Sequence, residues 1–307
     1  MVVFHGFDAF RPLPRPAAVA VGNFDGLHLG HRRILARLCA LARARDLVPM
    51  VLTFDPHPER ALGKRTVLMI DSPAQRLARL EESCVEVVLV TRFDRAFSGF
   101  GARRFVERVL RDRLGAREVV VGRDFRFGRD RRGDLALLRR EGRRLGLGVH
   151  AVPPRLVGGV PVSSSLIRRL LVQSRVEEAA RLLGRPYEIA GRVKSGAARG
   201  RRLGAPTANL ETANEILPDG VFVSETVWKG RALPSMTSIG TNPTFGRHPV
   251  RVETHVLGRM IDLRGAAITV RLLRRLRPTR KFPDAEALAE QIRRDLAAAR
   301  AHFSRPG

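Results

Sequence analysis

The sequence contains few cysteines and no long hydrophobic run. Cys39 and Cys84 are the only cysteines among 307 residues, and two cysteines are too few to indicate a disulfide framework or a zinc cage. No run of about eighteen apolar residues occurs, and the N-terminus lacks the basic segment, apolar core and cleavage site of a secretory signal. We therefore expect a soluble, unexported protein in a reducing cytoplasm, without membrane contacts.

Lysine, tryptophan and tyrosine are also scarce, so the formal net charge of +26 comes almost entirely from arginine. Such a surplus attracts phosphates, nucleic acids and anionic surfaces. The arginines are spread along the chain rather than gathered in a tail, and a single tryptophan and a single tyrosine offer little stacking surface for bases. This pattern indicates that the arginine surplus comes from a genome-wide codon bias toward arginine. Specific nucleic-acid binding is the alternative.

The first half alternates apolar runs with amphipathic stretches. Residues 17–21 form an apolar run that ends at Gly22, which predicts a buried strand leading into a glycine-rich turn. From His31 onward, apolar residues recur at three- and four-residue spacing, which predicts a helix. Strands alternating with helices indicate a mostly parallel sheet covered on both faces. The other predicted elements are strands at 49–54, 85–90, 118–121 and 149–152 and a helix at 102–114.

The pattern changes near residue 163. A helical stretch over 164–183 precedes the loop-like residues 184–186, where we place the boundary between a domain at 1–183 and a domain at 184–307. Glycine and proline then punctuate a series of short β-type runs, and only 285–303 predicts a helix. A small antiparallel barrel with a C-terminal helix is expected. The predicted strands are 188–193, 221–227, 251–257 and 267–273.

Residues 22–31, Gly-Asn-Phe-Asp-Gly-Leu-His-Leu-Gly-His, lie at the predicted turn between strand and helix. Glycines permit close approach of a ligand, and the start of the helix offers N–H groups to a phosphate. His28 and His31 can both donate hydrogen bonds to that anion as negative charge builds during attack at phosphorus. A structural role for each histidine is the alternative. The predicted phosphate-binding residues are Gly22, Phe24, Asp25, Gly26 and Gly30.

A second candidate site follows a glycine-rich loop in the other half. Thr207 and Asn209, two residues apart on an extended segment, face the same side and offer oxygens to Mg²⁺ beside nucleotide phosphates. Glu253 is the candidate general base for phosphorylation of a primary alcohol, and an exposed structural carboxylate is the alternative. The loop glycines predicted to bind ATP are Gly196, Gly200 and Gly204.

Residues 22–31 resemble the H-x-G-H signature of the nucleotidyltransferase superfamily. The blocks at 53–58, 121–128 and 163–168 then resemble, in order, those of the prokaryotic bifunctional riboflavin kinase/FAD synthetase family. The blocks at 206–209, 239–245, 252–255 and 281–282 resemble the riboflavin kinase module of the same family, so the resemblance covers nearly the whole chain.

The resemblance implies a Rossmann-like α/β nucleotidyltransferase domain followed by an all-β, six-stranded riboflavin kinase barrel with a C-terminal helix. It implies that riboflavin and ATP give FMN, with Glu253 as base, and that FMN and a second ATP give FAD and pyrophosphate at the two histidines, with Mg²⁺ in both steps. It further assigns these residues to ATP phosphates or to the flavin and ATP sites: Ser164, Ser165, Arg168, Asp124 and Phe125.

The chain departs from the family pattern mainly in the barrel half. An alternative is therefore an enzyme with FMN adenylyltransferase activity only, whose divergent barrel binds flavin without catalysis. A different phosphate acceptor is a further alternative, because H-x-G-H alone does not select one. The departures lie at Ser165, Leu166, Phe222, Gly258, Arg264 and Thr279.

Overall fold

The computed structural model describes residues 1–63, 67–194, 207–241, 250–259 and 261–304. The chain divides into two compact units. The first comprises Met1–Leu68 and Pro73–Val162, and the second comprises Met69–Ser72 and Ser163–Gly307.

The described residues of the first unit form a parallel sheet of six strands in the order β1-β4-β3-β2-β5-β6. Alternate residues of β2 enter different cores, since Ala17 and Val19 pack on one face and Ala18 and Ala20 on the other. The predicted α/β architecture is confirmed. The strands are β1 (Val2–His5), β2 (Ala17–Val21), β3 (Val48–Asp55), β4 (Val87–Arg92), β5 (Ala116–Gly122) and β6 (Gly148–Val152).

Helices cover both faces of this sheet. The first, α1, places the apolar side chains predicted from its spacing, Leu35, Leu38 and Leu41, in the core. The predicted helix over 102–114 exists as one short α-helical turn continued by Phe105–Arg113 in π-helical form. The helices are α1 (Leu29–Ala44), α2 (Pro58–Ala61), α3 (Pro73–Glu81), α4 (Arg95–Ser98), α5 (Ala102–Arg104) and α6 (Leu135–Leu145). A small hairpin, β7 (Leu156–Val157) and β8 (Val160–Pro161), completes the unit.

A disulfide joins Cys39 on α1 to Cys84, which lies just ahead of β4. The expectation from the cysteine count, that no disulfide framework exists, is wrong for this pair. The two Cα atoms lie 5.9 Å apart although 45 residues separate them in sequence, and this spacing falls within the range that a disulfide requires. The pairing depends on tertiary structure, which the number of cysteines does not reveal.

The second unit begins with two helices, α7 (Ser164–Val172) and α8 (Val176–Leu183). The prediction of one continuous helix over 164–183 is therefore wrong. Ser174, between them, has a φ of 58°, which is a left-handed conformation that a helix cannot continue through.

The barrel of the second unit closes in the order β10-β13-β12-β11-β14-β9 with antiparallel pairing. The predicted barrel and C-terminal helix are confirmed. The helix α9 (Ala285–Phe303) packs Ala299 against Val221, Val223 and Met236 on the outer face. Among the described residues, no helix has the length and apolar character needed to cross a membrane. The strands are β9 (Tyr187–Lys194), β10 (Ala208–Thr212), β11 (Gly220–Trp228), β12 (Arg231–Gly240), β13 (Arg251–Val256) and β14 (Ala267–Arg277).

Candidate active sites

The first candidate site is the turn that follows β2. Three residues in it have positive φ angles: Phe24 at 50°, Gly26 at 82° and Leu27 at 33°. Positive φ is uncommon for residues with a Cβ and marks a turn whose shape the surroundings impose. Phe24 is fully buried and anchors the turn in the core, while its ring lies 5.2 Å from that of His31. The turn is therefore held rigidly at the carboxyl edge of the sheet, where ligands bind in folds of this kind.

The two motif histidines meet at the start of α1. His28 is the N-cap residue, and its Nδ1 accepts a hydrogen bond from the backbone N–H of His31 at 3.2 Å. The two rings stack with centroids 3.7 Å apart and planes 14° apart. A Cβ at position 30 would lie 3.0 Å from Cε1 of His28, so Gly30 makes room for the ring. The structure thus brings together the residues that the sequence predicted to act on phosphate.

The N-cap hydrogen bond determines which ring nitrogen of His28 carries the proton. Because Nδ1 of His28 accepts, the proton of the neutral ring resides on Nε2. The His28 side chain is buried and that of His31 is half-buried. Nε2 of His28 is therefore a hydrogen-bond donor with a fixed direction, which suits stabilisation of charge on a phosphoryl oxygen.

A layer of polar residues behind the turn was missed by sequence reasoning. The carbonyl of Asn23 accepts hydrogen bonds from Thr53 Oγ1 at 3.1 Å and Arg76 Nη1 at 3.4 Å. Arg76 is buried and also donates to the carbonyl of Phe54 at 3.3 Å. The side-chain amide of Asn23 hydrogen-bonds to His57 Nε2 at 2.8 Å. These contacts join the turn to the end of β3 and to α3, and the block at 53–58 was the only sequence signal for them.

Phenylalanine side chains form a cluster in the core on one face of the sheet. Phe54 is at the end of β3, and Phe125 follows β5, so they flank β2 on either side. Phe125 stacks on Phe127 with ring centroids 5.3 Å apart and an interplanar angle of 13°. The neighbouring Asp124 is exposed. The sequence predicted Phe125 and not the rest of this aromatic cluster, whose members are Phe7, Phe54, Phe93, Phe97, Phe100, Phe105, Phe125 and Phe127.

The three other predicted phosphate ligands lie at the start of α7. Ser163 is its N-cap residue and accepts a hydrogen bond from the N–H of Leu166 at 3.3 Å. Ser164 and Ser165 occupy the first turn, and Arg168 follows one turn later. These residues belong to the second unit, and their part in binding ATP at the histidine site stays a prediction.

The second candidate site is a row of polar residues on adjacent barrel strands. Asn209 of β10 lies directly opposite Glu253 of β13, and Ser238 of β12 lies opposite Glu253 on the other side. Lys194 of β9 lies opposite Asn209. Directly opposed residues in antiparallel strands share a face. The next residue of β13, Thr254, is only 1% exposed in the barrel interior, so the row that contains Glu253 faces the outside of the barrel. Ser238 was missed because the pairing of β12 with β13 is a tertiary feature.

Oxygen donors dominate this row. Thr207, two residues ahead of Asn209, is half-buried, as are Asn209, Glu253 and Ser238. Hydroxyl, amide and carboxylate oxygens are the ligands that Mg²⁺ accepts together with nucleotide phosphates, so the donor set fits that ion. No group of three or more His, Cys, Asp or Glu side chains suited to a metal occurs in the described ranges. The predicted loop glycines, Gly196, Gly200 and Gly204, and residues 242–245 lie outside the described residues.

The residues of the barrel half that depart from the family pattern each have a defined conformation, packing or hydrogen bond. Gly258 has a φ of 70° in the turn after β13, and Phe222 is fully buried in the barrel. Thr279 Oγ1 donates to Asp219 Oδ1 at 2.5 Å. None of these three residues belongs to the row that contains Glu253. Arg264, which also departs from the family pattern, donates a hydrogen bond from Nε to Asp262 Oδ1 at 2.9 Å.

Comparisons with known proteins agree with this division of the chain. A family model for FAD synthetase matches residues 11–166, and one for riboflavin kinase matches residues 183–303. The first match ends near the start of α7 and the second begins at the end of α8, so the predicted domain boundary after residue 183 stays a prediction.

Full-length relatives and one solved structure show the same likeness. The bifunctional riboflavin kinase/FMN adenylyltransferase of Escherichia coli is 35% identical over 99% of this chain and 98% of its own length. That of Pseudomonas fluorescens is 36% identical over 98% of this chain and 97% of its own length. A crystal structure from Streptococcus pneumoniae, described as a macrolide-efflux protein, has a TM-score of 0.87 at 29% identity and covers 98% of this chain and 99% of its own. With both family models and full-length relatives matching, the chain belongs to the bifunctional riboflavin kinase/FMN adenylyltransferase family.

Proposed function

We propose that the first unit adenylylates FMN at the stacked histidine pair. An oxygen of the FMN phosphate attacks the α-phosphorus of ATP, the new P–O bond forms, and pyrophosphate leaves with the electrons of the broken bond. Nε2 of His28 and the ring of His31 stabilise the negative charge that builds on the transferred phosphoryl group. The observation that carries the proposal is the N-cap hydrogen bond, which holds the His28 ring at the start of α1, the end of a helix that attracts phosphate.

The substrates of this step are held by neighbouring residues. Backbone N–H groups of the turn that contains Gly22, Phe24, Asp25 and Gly26 bind the ATP phosphates. Ser164, Ser165 and Arg168 at the start of α7 offer hydroxyl and guanidinium donors of the kind that bind phosphate. The flavin ring lies against the aromatic cluster beside Phe125, since flat aromatic ligands stack on rings of this kind, and Asp124 lies next to it.

The second unit phosphorylates riboflavin at the polar row of the barrel. Glu253 takes the proton from the terminal hydroxyl of the ribityl chain, whose oxygen then attacks the γ-phosphorus of ATP and releases ADP. Thr207 and Asn209 would hold Mg²⁺, which would supply neutralisation of phosphate charge when bound.

The alternative of a barrel that only binds flavin is not favoured. The paired positions of Asn209 and Glu253 are intact in the structure, and both halves of the chain match relatives named for both activities. These relatives also argue against a different phosphate acceptor for the histidine site.

We further propose that the enzyme works in the cytoplasm on small-molecule substrates, without a membrane partner or a specific nucleic-acid partner. The arginine surplus is distributed over exposed positions such as Arg139, Arg143 and Arg294. A positive surface of this kind favours approach of anionic nucleotides and gives only nonspecific attraction to nucleic acids.

A crossed pair of substitutions tests the assignment. Glu253→Gln removes the base, so FMN formation from riboflavin should fall steeply while FAD formation from FMN continues. His31→Ala should lower FAD formation from FMN by about a hundredfold or more, while FMN still forms and accumulates. Products are identified by chromatography after incubation with ATP, Mg²⁺ and riboflavin or FMN. Loss of both steps with either substitution would contradict two separate sites.

A further inference from the structure

The interior of the barrel contains a cluster of hydroxyl groups that neither proposed reaction uses. Its members are at most 1% exposed and are hydrogen-bonded to one another. Buried hydroxyl groups in a barrel core are costly unless all of their hydrogen bonds are made. The members are Ser224, Thr226, Ser235, Thr237 and Thr254.

The hydrogen bonds among these side chains form a closed ring. Ser224 bonds to Ser235 at 3.0 Å and to Thr237 at 2.7 Å. Thr226 bonds to Ser235 at 3.0 Å and to Thr254 at 3.1 Å. Thr237 donates to Thr254 at 2.9 Å, which closes the ring. We call this cluster the hydroxyl ring.

The donor directions around the hydroxyl ring are mutually consistent. Thr226 donates to Ser235, and Thr237 donates to Thr254. The other bonds can follow the same direction around the ring, so each hydroxyl donates its one proton and accepts one. Such a ring is satisfied only while all of its members are in place, and bonds arranged in one direction strengthen one another.

The hydroxyl ring is connected to the kinase site through β12 and β13. Thr237 and Thr254 lie directly opposite each other, and the next residues, Ser238 and Glu253, are opposite each other on the outer face. A register slip of one residue would turn Glu253 into the barrel and Thr254 outward. It would also break the ring and leave buried hydroxyl groups unsatisfied.

We propose that the hydrogen bond from Thr237 to Thr254 within the hydroxyl ring fixes the register of β12 and β13 and that Thr254 is a positioning residue for Glu253. This inference rests on the proposed role of Glu253 as the base. The carboxylate belongs to a strand whose opposite face is held to β12 by that bond. The direction of Glu253 toward the ribityl hydroxyl is thereby set from inside the barrel.

The test compares Thr254→Val with Thr226→Val. Both substitutions keep the side-chain shape and remove one member of the hydroxyl ring, so both should lower the melting temperature to a similar extent. Thr226→Val removes the bond between Thr226 and Thr254 but keeps the bond from Thr237 to Thr254 that joins β12 to β13, so it should leave the kcat of FMN formation within about twofold of wild type. Thr254→Val should lower that kcat by about ten- to hundredfold, since small misplacements of a reacting group have effects of this size. The KM values for riboflavin and ATP should stay within about twofold, and FAD formation from FMN should be unchanged.

Three further variants separate positioning from general damage. Thr254→Ser keeps the hydroxyl and should restore kcat to near wild type. If Thr254 acts through Glu253, adding Thr254→Val to Glu253→Gln should cause little further loss, because the base is already absent. Thr237→Val removes the same bond from the opposite strand and should reproduce the kcat loss, which provides the measurement if Thr254→Val fails to fold.

The outcomes distinguish the failure of this inference from the failure of the proposed function. Equal kcat losses in Thr254→Val and Thr226→Val would overturn the positioning role and leave only a stabilising ring. A normal kcat in Thr254→Val, with Glu253→Gln inactive, would overturn it while the base assignment stands. A normal kcat in Glu253→Gln would overturn the base assignment and this inference with it.

Discussion

His28 has two separable roles that can be tested by replacing it with asparagine and with alanine. Its Nδ1 caps α1 by accepting from the N–H of His31 at 3.2 Å, and its ring stacks on His31. Asparagine is among the best N-cap residues, and the extended backbone of His28, with φ −67° and ψ 174°, suits it. His28→Asn therefore keeps the helix start and removes only the imidazole donor, whereas His28→Ala removes both.

The two variants should differ in stability and agree in activity. Loss of an N-cap side chain costs about 1 kcal/mol, which corresponds to a lower melting temperature of about 2–4 °C for a unit of this size. That loss is expected for His28→Ala and should be largely absent for His28→Asn. Removal of a donor to the developing phosphoryl charge costs about 3 kcal/mol, or about a hundredfold in rate, and this loss is expected for both.

The measurements are thermal unfolding and the rate of FAD formation from FMN, with FMN formation from riboflavin as an internal control. The control should be unchanged, because the barrel contains the second site. If His28→Asn made FAD at the wild-type rate, His28 would be a cap residue and not a participant in adenylyl transfer. If His28→Asn were as unstable as His28→Ala, the cap hydrogen bond would not be the contact that stabilises the start of α1.

The remaining predictions concern charge and pH. Affinity for duplex DNA should fall steeply between low and physiological salt and show no sequence preference, as binding dominated by phosphate contacts does; a salt-resistant, sequence-selective complex in a filter-binding assay would contradict the codon-bias explanation. A hydrogen bond from Arg144 holds the pKa of the Glu141 carboxyl below its ordinary value of 4.5, so the ionised form stabilises the fold above that pH and the stabilisation is lost as pH falls through the lowered pKa. The difference in melting temperature between wild type and Glu141→Gln should therefore shrink as pH falls from about 6 to about 3, and a constant difference would refute this role.

Local signals predicted the elements that position the first site. The apolar run at Ala17–Val21 matches β2, and the motif at 22–31 correctly predicted a turn leading into α1. The C-terminal helix Ala285–Phe303 also has the bounds that its periodicity indicated. In each case the pattern repeats within a single element, so no knowledge of the neighbouring elements is required.

Elements with weaker internal patterns were missed. Strand β12 was not predicted, although Lys229 and Gly230, with φ angles of 48° and 75°, form the two-residue turn that pairs it with β11. A lysine is uncommon at the first position of such a turn, which obscured the signal. Helix α6 was missed because arginine fills most of its exposed face, and its apolar stripe is correspondingly short.

The sequence predicted those site residues that lie together in a short motif, and it missed those that the fold brings together. His28 and His31 belong to one short motif, whereas Asn23, Thr53 and Arg76 become neighbours through the pairing of β2 with β3 and the packing of α3. A buried arginine such as Arg76 cannot be distinguished in this sequence from the many exposed ones. The position of Ser238 beside Glu253 likewise follows from strand register, which residue types alone do not specify.

Both candidate sites place the reacting side chain through the backbone. In the first unit, the same hydrogen bond that begins α1 orients the imidazole of His28. In the second unit, the pairing of β13 with β10 and β12 sets which face Glu253 occupies. Substitutions that preserve these side chains but displace them should therefore also impair catalysis. At Gly30 an added Cβ would lie 3.0 Å from Cε1 of the His28 ring, so Gly30→Ala should shift the imidazole and lower the rate of FAD formation from FMN.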